Sequence, residues 1–209
     1  MRLIVATPSP FARKARVALL EKGIAFETVI DNPWNPGAQA PEHNPLGKIP
    51  VLFTDDGNTV FDSKVIVEYL DATHPARPLF PAHPLDRVAA KQVEALADGV
   101  CDAVVLIVLE RARPAELQSR DWIARQIAKV EAGVAEAARA LGGRQWFIAN
   151  EYSVADIAAG CMLGYLDLRL PDFDWRAAQP ELLPFFARVM AREAFKQTVP
   201  TAQIINAVK

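Results

Sequence analysis

A small α/β domain followed by a larger all-helical domain is the architecture that the sequence predicts. Three observations lead there. The first third of the chain alternates short apolar runs with helix-period runs, in the order βαβ, loop, ββα. A proline-rich stretch then interrupts all periodicity. Beyond it only helical signals remain. The expected boundaries are residues 1–76 for the first domain, 77–84 for a linker and 85–209 for the helical domain.

Each element has a local reason. Leu3-Ile4-Val5-Ala6 is a short apolar run and reads as a strand. Ser9-Pro10 then opens a helix, since a serine oxygen can accept an orphan N–H and proline has none to lose at the first position. Phe11, Ala15, Ala18 and Leu19 share one helix face, and Arg13, Lys14, Arg16 and Lys22 leave on other sides. Gly23 sits where a helix stop belongs. Ala25–Ile30 reads as a second strand, parallel to the first through a right-handed crossover.

Asp31 to Leu46 holds four prolines and reads as a loop, with a short helical turn near Ala38–His43. Lys48–Phe53 and Thr59–Phe61 are strands joined by the turn Asp55-Asp56-Gly57-Asn58. Asp62-Ser63 caps the next helix, whose apolar face is Val65, Ile66, Tyr69 and Leu70. After the second proline-rich stretch, an apolar stripe from Val88 to Leu109 marks a helix of about seven turns. Arg87, Lys91, Glu94, Asp98 and Asp102 line another face of it. Ile123 to Leu141 forms the next helix, stopped by Gly142-Gly143. Ser153-Val154-Ala155-Asp156 is a capping-box-like start, with Asp in place of Glu or Gln. A final helix is expected from about Pro180 to Arg192.

The bulk numbers exclude several classes. A net charge of −2 gives no electrostatic case for nucleic acid. No run approaches the roughly 20 apolar residues of a membrane span, and no cleaved signal peptide is expected. Cys101 and Cys161 lie in apolar surroundings without a CxxC pair, which suits a reduced cytoplasmic protein with buried thiols. His43, His74 and His83 show no paired ligand spacing, so no metal site is expected.

The chemistry rests on the residues at helix starts. Ser9 can be only a cap, or it can also donate its hydroxyl hydrogen to an anionic sulfur held at the positive end of the helix. The two uses are compatible. Pro50, read alone, is a trans proline starting an edge strand. Asp62-Ser63 is, read alone, a doubly capped helix start.

Three stretches taken together resemble the soluble glutathione S-transferases: SPFARKAR at 9–16, NPLGKIPVL at 44–52 with FDS at 61–63, and YSVADIA at 152–158. The first is closest to the serine-type and cysteine-type classes. The chain also looks like a bacterial subgroup with an LADG-x-x-DA segment, here Leu96–Ala103. The resemblance implies a thioredoxin-like N-terminal domain and an all-α C-terminal domain. It implies that Ser9 is catalytic and binds glutathione, stabilising its thiolate. It makes Ile49-Pro50 a cis bond whose residue 49 backbone pairs with the cysteinyl part of glutathione. Asp62 and Ser63 would hold the ammonium and carboxylate of the γ-glutamyl end, and Lys48 would lie near the glycyl carboxylate.

By the same resemblance, Phe11, Trp34, Asn35 and residues of the long helix would line an electrophile site, and Asp98 would reach the glutathione of a partner subunit. The implied activity is conjugation of the glutathione thiolate to a hydrophobic electrophile, by a cytoplasmic homodimer with glutathione as co-substrate and no metal. Isomerisation, dehalogenation or peroxide reduction would use the same thiolate. A non-catalytic protein-binding module is a further alternative. Serine in place of cysteine at position 9 excludes mixed-disulfide reduction through that residue.

Overall fold

The computed structural model of the chain describes residues 1–203. Two compact units are present: Met1–Leu79 with the segment that begins at Arg192, and Phe80–Ala191.

The first unit is built on a four-stranded sheet of order β2-β1-β3-β4, formed by β1 (Arg2–Val5), β2 (Glu27–Ile30), β3 (Val51–Phe53) and β4 (Thr59–Val60). β1 pairs parallel with β2, and β3 is antiparallel to both β1 and β4. Leu3, Ile4 and Val5 are all buried, as a central strand covered on both faces requires. Helices α1 (Pro10–Lys22) and α3 (Ser63–Thr73) pack together, burying Ala15, Ala18 and Leu19 from one and Ile66, Val67 and Leu70 from the other. A short α2 (Ala40–His43) lies in the loop after β2. Gly23 ends α1 at φ 70°, a conformation open to glycine, and its N–H bonds back into the last turn.

The second unit is helical: α4 (Pro84–Arg111), α5 (Arg120–Leu141), α6 (Val154–Arg169), α7 (Trp175–Ala178) and α8 (Leu183–Met190), with short 3-10 turns at Ala115–Leu117 and Pro180–Leu182. α4 packs against both α5 and α6. Every residue of α6 from Val154 to Leu166 is buried, which makes it the central helix of the unit. Gly133 lets α5 approach α4, because a Cβ there would sit 2.2 Å from Val100 Cγ2. The start of α6 is a complete capping box. Ser153 Oγ accepts from the Ala155 N–H at 3.3 Å, and Asp156 accepts from the Ser153 N–H at 2.8 Å and the Phe147 N–H at 3.0 Å.

Three expectations need correction. The C-terminal segment from Arg192 was assigned to the helical domain but packs on the first unit, through α9 (Glu193–Lys196) and α1. The unit boundary falls between Leu79 and Phe80, both buried, rather than in an unpacked linker. The cations of α1 do not face solvent. Arg13 is 3% exposed, Lys14 1% and Lys22 7%. Lys22 bonds Asp71 at 2.9 Å and the Ala76 and Arg77 carbonyls, so its ammonium is fully coordinated. Arg13 donates to the Phe195 carbonyl and the Thr198 hydroxyl, and its guanidinium stacks on the Phe195 ring. A sequence window holds no trace of partners about 180 residues away. The expected final helix is also broken, into the Pro180–Leu182 turn, α8 and α9.

Two stability outcomes follow. Burial pushes the Asp156 carboxyl up to about 6, although hydrogen bonds from Phe147 and Ser153 favour its charged form. The unfolded carboxyl titrates near 3.9. The folded state therefore holds the proton more tightly, and this group's contribution is full below about pH 4 and lost as pH rises through 6. Asp156→Asn should remove that slope, so wild type minus variant stability, from urea unfolding, falls by about 2–3 kcal/mol between pH 4 and pH 7. Ala149 and Asn150 both have positive φ, at 49° and 57°, in the tight turn that pairs Ile148 with Glu151. Left-handed backbone costs an alanine about 1–2 kcal/mol and glycine's added chain entropy offsets about half of that. Ala149→Gly should accordingly raise stability by about 0.5–1 kcal/mol in the same measurement.

Candidate functional site

The sheet register gathers the expected site residues. β1 ends at Val5, and Ser9 follows it at the carboxyl end of the sheet's parallel pair. Ile4 pairs with Val51, so Pro50 lies at that same end. Leu52 pairs with Val60 and the chain then runs on to Asp62, which returns β4 to the same end. Ser9, Ile49, Pro50, Asp62 and Ser63 thus come together at one end of one sheet, although 54 positions separate Ser9 from Ser63. The ends of parallel strands are where open α/β sheets place ligands.

Two helices point their N-termini into this region. Ser9 is the N-cap of α1, with Pro10 in the first turn and no acidic residue there to neutralise the positive end. Ser9 Oγ accepts from the Ala12 N–H at 3.2 Å. A hydroxyl that accepts one bond keeps its own hydrogen to donate, so the cap and a sulfur contact can coexist on this residue. Asp62 is the N-cap of α3 and accepts from the Lys64 N–H at 3.0 Å. Ser63 is the first residue of that helix and is 2% exposed. Asp62 is exposed, which leaves a carboxylate beside a helix N-terminus, a pair of opposite signs suited to a zwitterionic group.

The Ile49-Pro50 peptide is cis. Lys48 is exposed just before it, and Ile49 is half-buried. This approach to β3 is held by a residue that sequence reasoning quoted but gave no role. Asn44, 1% exposed, donates from Nδ2 to the Lys48 carbonyl at 2.9 Å and accepts the Leu46 N–H at 3.0 Å. The available signal was Asn before Pro45, a turn-initiating pair.

The loop after β2 is similarly braced. Asp31 accepts from the Asn32 and Ala40 N–H groups, both at 2.9 Å, and Asn32 accepts from the Trp34 N–H at 3.1 Å. Trp34 is 41% exposed, Phe11 is half-buried, and Asn35 Oδ1 is a buried acceptor without a hydrogen-bond partner among the described residues. Asp98 belongs to the other unit. It is buried on α4 at 6% exposure, one turn after the buried Glu94, rather than a solvated surface charge. Among the described residues no group of three or more His, Cys, Asp or Glu side chains gathers to hold a metal, and no helix is long and apolar enough to cross a membrane.

A thioredoxin-like unit with an unneutralised, serine-capped helix at the end of β1, joined in sequence to an all-α unit, defines a class. The glutathione S-transferase N-terminal domain model matches residues 8–73, and the corresponding C-terminal domain model matches residues 120–192. The chain belongs to the glutathione S-transferase family. It is 47% identical to a glutathione S-transferase from Methylobacterium radiotolerans, solved in complex with glutathione sulfonate. That comparison covers 100% of this chain and 98% of the other, with a TM-score of 0.97. A glutathione S-transferase from Methylobacillus flagellatus, solved with glutathione bound, is 44% identical over 96% of this chain and 99% of its own, with a TM-score of 0.92. The GST-like protein YibF of Escherichia coli is 38% identical over 206 residues, 96% of this chain and 98% of its own length.

Asn44 gives this region a direct test. Replacing it with alanine removes two hydrogen bonds from a buried turn and should lower stability in urea by about 2 kcal/mol. Asn44→Asp keeps the acceptor for Leu46 but loses the donor to Lys48, so its loss should fall between wild type and alanine.

Proposed function

We propose that this protein is a glutathione transferase that uses Ser9 to stabilise the glutathione thiolate. The observation that carries the reading is the meeting of Ser9, Pro50, Asp62 and Ser63 at one end of the sheet, beneath two helix N-termini. Solved relatives at 44% and 47% identity, with glutathione or its sulfonate bound, support it.

In this reading the Ile49 backbone pairs with the cysteinyl residue of glutathione as a short added strand. Asp62 holds the γ-glutamyl ammonium, and Ser63 with the first N–H groups of α3 holds the carboxylate beside it. Lys48 faces the glycyl carboxylate. The thiol loses its proton to solvent. The sulfur then accepts the Ser9 hydroxyl hydrogen and sits in the positive field of α1. With an aryl halide the thiolate attacks the halogen-bearing carbon, a carbon–sulfur bond forms, and halide leaves with the electron pair of the broken bond. Phe11, Trp34 and Asn35 supply part of the electrophile site, and the orphaned Asn35 acceptor supports a ligand-facing role. Asp98 contacts the glutathione of the partner in a cytoplasmic homodimer.

Ser9→Ala tests the central step. Removing a hydrogen bond to a charged group costs about 1.5–3 kcal/mol, or roughly ten- to a hundredfold in rate. kcat/KM with chlorodinitrobenzene at neutral pH should fall by that factor, and its pH profile should move to higher pH. The glutathione-dependent rise in Tm should persist, because the other contacts remain. Unchanged turnover at neutral pH would remove Ser9 from the mechanism.

A further inference from the structure

The C-terminal segment has a path that the activity does not require. It runs along α1 in the opposite direction. Arg192 pairs with Glu21 through two bonds of 2.7 Å at the carboxyl end of the helix. The Gln197 carbonyl then accepts from Arg16 at 3.3 Å. One turn further up, the Phe195 carbonyl and the Thr198 hydroxyl accept from Arg13. Past the start of the helix, the Thr201 carbonyl accepts from Thr7 Oγ1 at 3.0 Å. The Gln203 amide donates to the Asp31 carbonyl at 3.5 Å.

The two last anchors matter most. Thr7 lies two positions before Ser9, in the turn after β1, and Asp31 directly follows β2. The Asp31 N–H bonds the Val5 carbonyl at 2.7 Å, so the two strand ends are themselves tied together. Residues 199–203 therefore cross the carboxyl end of the parallel pair, from the Ser9 turn to the loop that carries Trp34 and Asn35. Their side chains add apolar surface there: Val199 is 61% exposed and Pro200 half-buried.

We propose that residues 199–203 form a fixed wall of the electrophile site, and that Thr7 is the positioning residue that holds the wall beside Ser9. The wall contacts the apolar group carried on the glutathione sulfur and leaves the peptide part untouched. Thr7 acts through the segment it tethers and does not meet the reacting atoms. The inference rests on the reading of Ser9 as the residue next to the sulfur.

The experiment separates the two. Calorimetry measures the Kd of glutathione and of S-hexylglutathione for the full chain, whose ratio isolates the sulfur-borne group. Thr7→Val keeps the branched shape and removes the donor. A net hydrogen bond contributes about 1 kcal/mol, roughly a fivefold factor in affinity. Kd for S-hexylglutathione should rise by about that factor, with glutathione within about twofold of wild type. Thr7→Ser, which keeps the hydroxyl, should restore tight binding. Gln203→Ala, which releases the other anchor, should move the ratio in the same direction as Thr7→Val. An unchanged ratio in both Thr7→Val and Gln203→Ala overturns the wall. Equal weakening of both ligands overturns it too, since Thr7 would then only shape the Ser9 turn. Failure of wild type to bind glutathione at millimolar concentration removes the glutathione reading itself, and the wall with it.

Discussion

The bond from the Ala12 N–H to Ser9 Oγ, 3.2 Å long, sets where α1 begins. β1 is the central strand of its unit, so its end is fixed by neighbours on both sides. The helix that follows can therefore start in only one place, and its positive end faces the edge of the sheet to which β3 and β4 also deliver Pro50 and Asp62. A cap of this kind contributes about 1 kcal/mol to stability. A hydrogen bond to a charged sulfur contributes about twice as much at the same residue. One hydroxyl supplies both, because it accepts from the helix and donates outward. Folding and chemistry thus use different halves of the Ser9 side chain.

Holding that helix start still is the work of groups some distance from it. Lys22 is buried at the far end of α1 with three oxygen acceptors, and Asp71 also receives the Leu79 N–H at 2.7 Å. Arg13 and Arg16 are held by the segment after α8. Burial, and then the neighbouring Arg13, lower the pKa of Arg16 below its usual value. A desolvated cation costs several kcal/mol unless its donors are met. The carbonyls of Phe195 and Gln197 meet them, which gives the C-terminal segment a structural reason to stay on α1. The positive charge so gathered has the sign that favours an anion at the Ser9 end.

The first unit was legible because its signals are local. Ser9-Pro10, Gly23 and the apolar run of β1 each act through neighbours within a few residues, and the register that unites the site follows from short turns. The same holds for the capping box of α6, where Asp156 serves as well as the longer Glu. Lys14 and Lys22 could not be read this way. A lysine on a helix face reads as solvated, and only a partner on another element makes it a core residue. The path of residues 192–203 was hidden for the same reason: Arg192 finds Glu21 across 171 positions. Ala149 was hidden differently, since nothing in its own side chain signals a left-handed turn.

The central claim is that this fold lowers the pKa of a bound thiol. Ultraviolet difference spectroscopy of the glutathione complex, titrated with pH, reads the thiolate directly. The account predicts thiolate absorbance that appears well below the free thiol value of about 8.5, with the midpoint moved back toward that value in Ser9→Ala. A bound thiol that titrates at its solution value in the wild-type protein would contradict it.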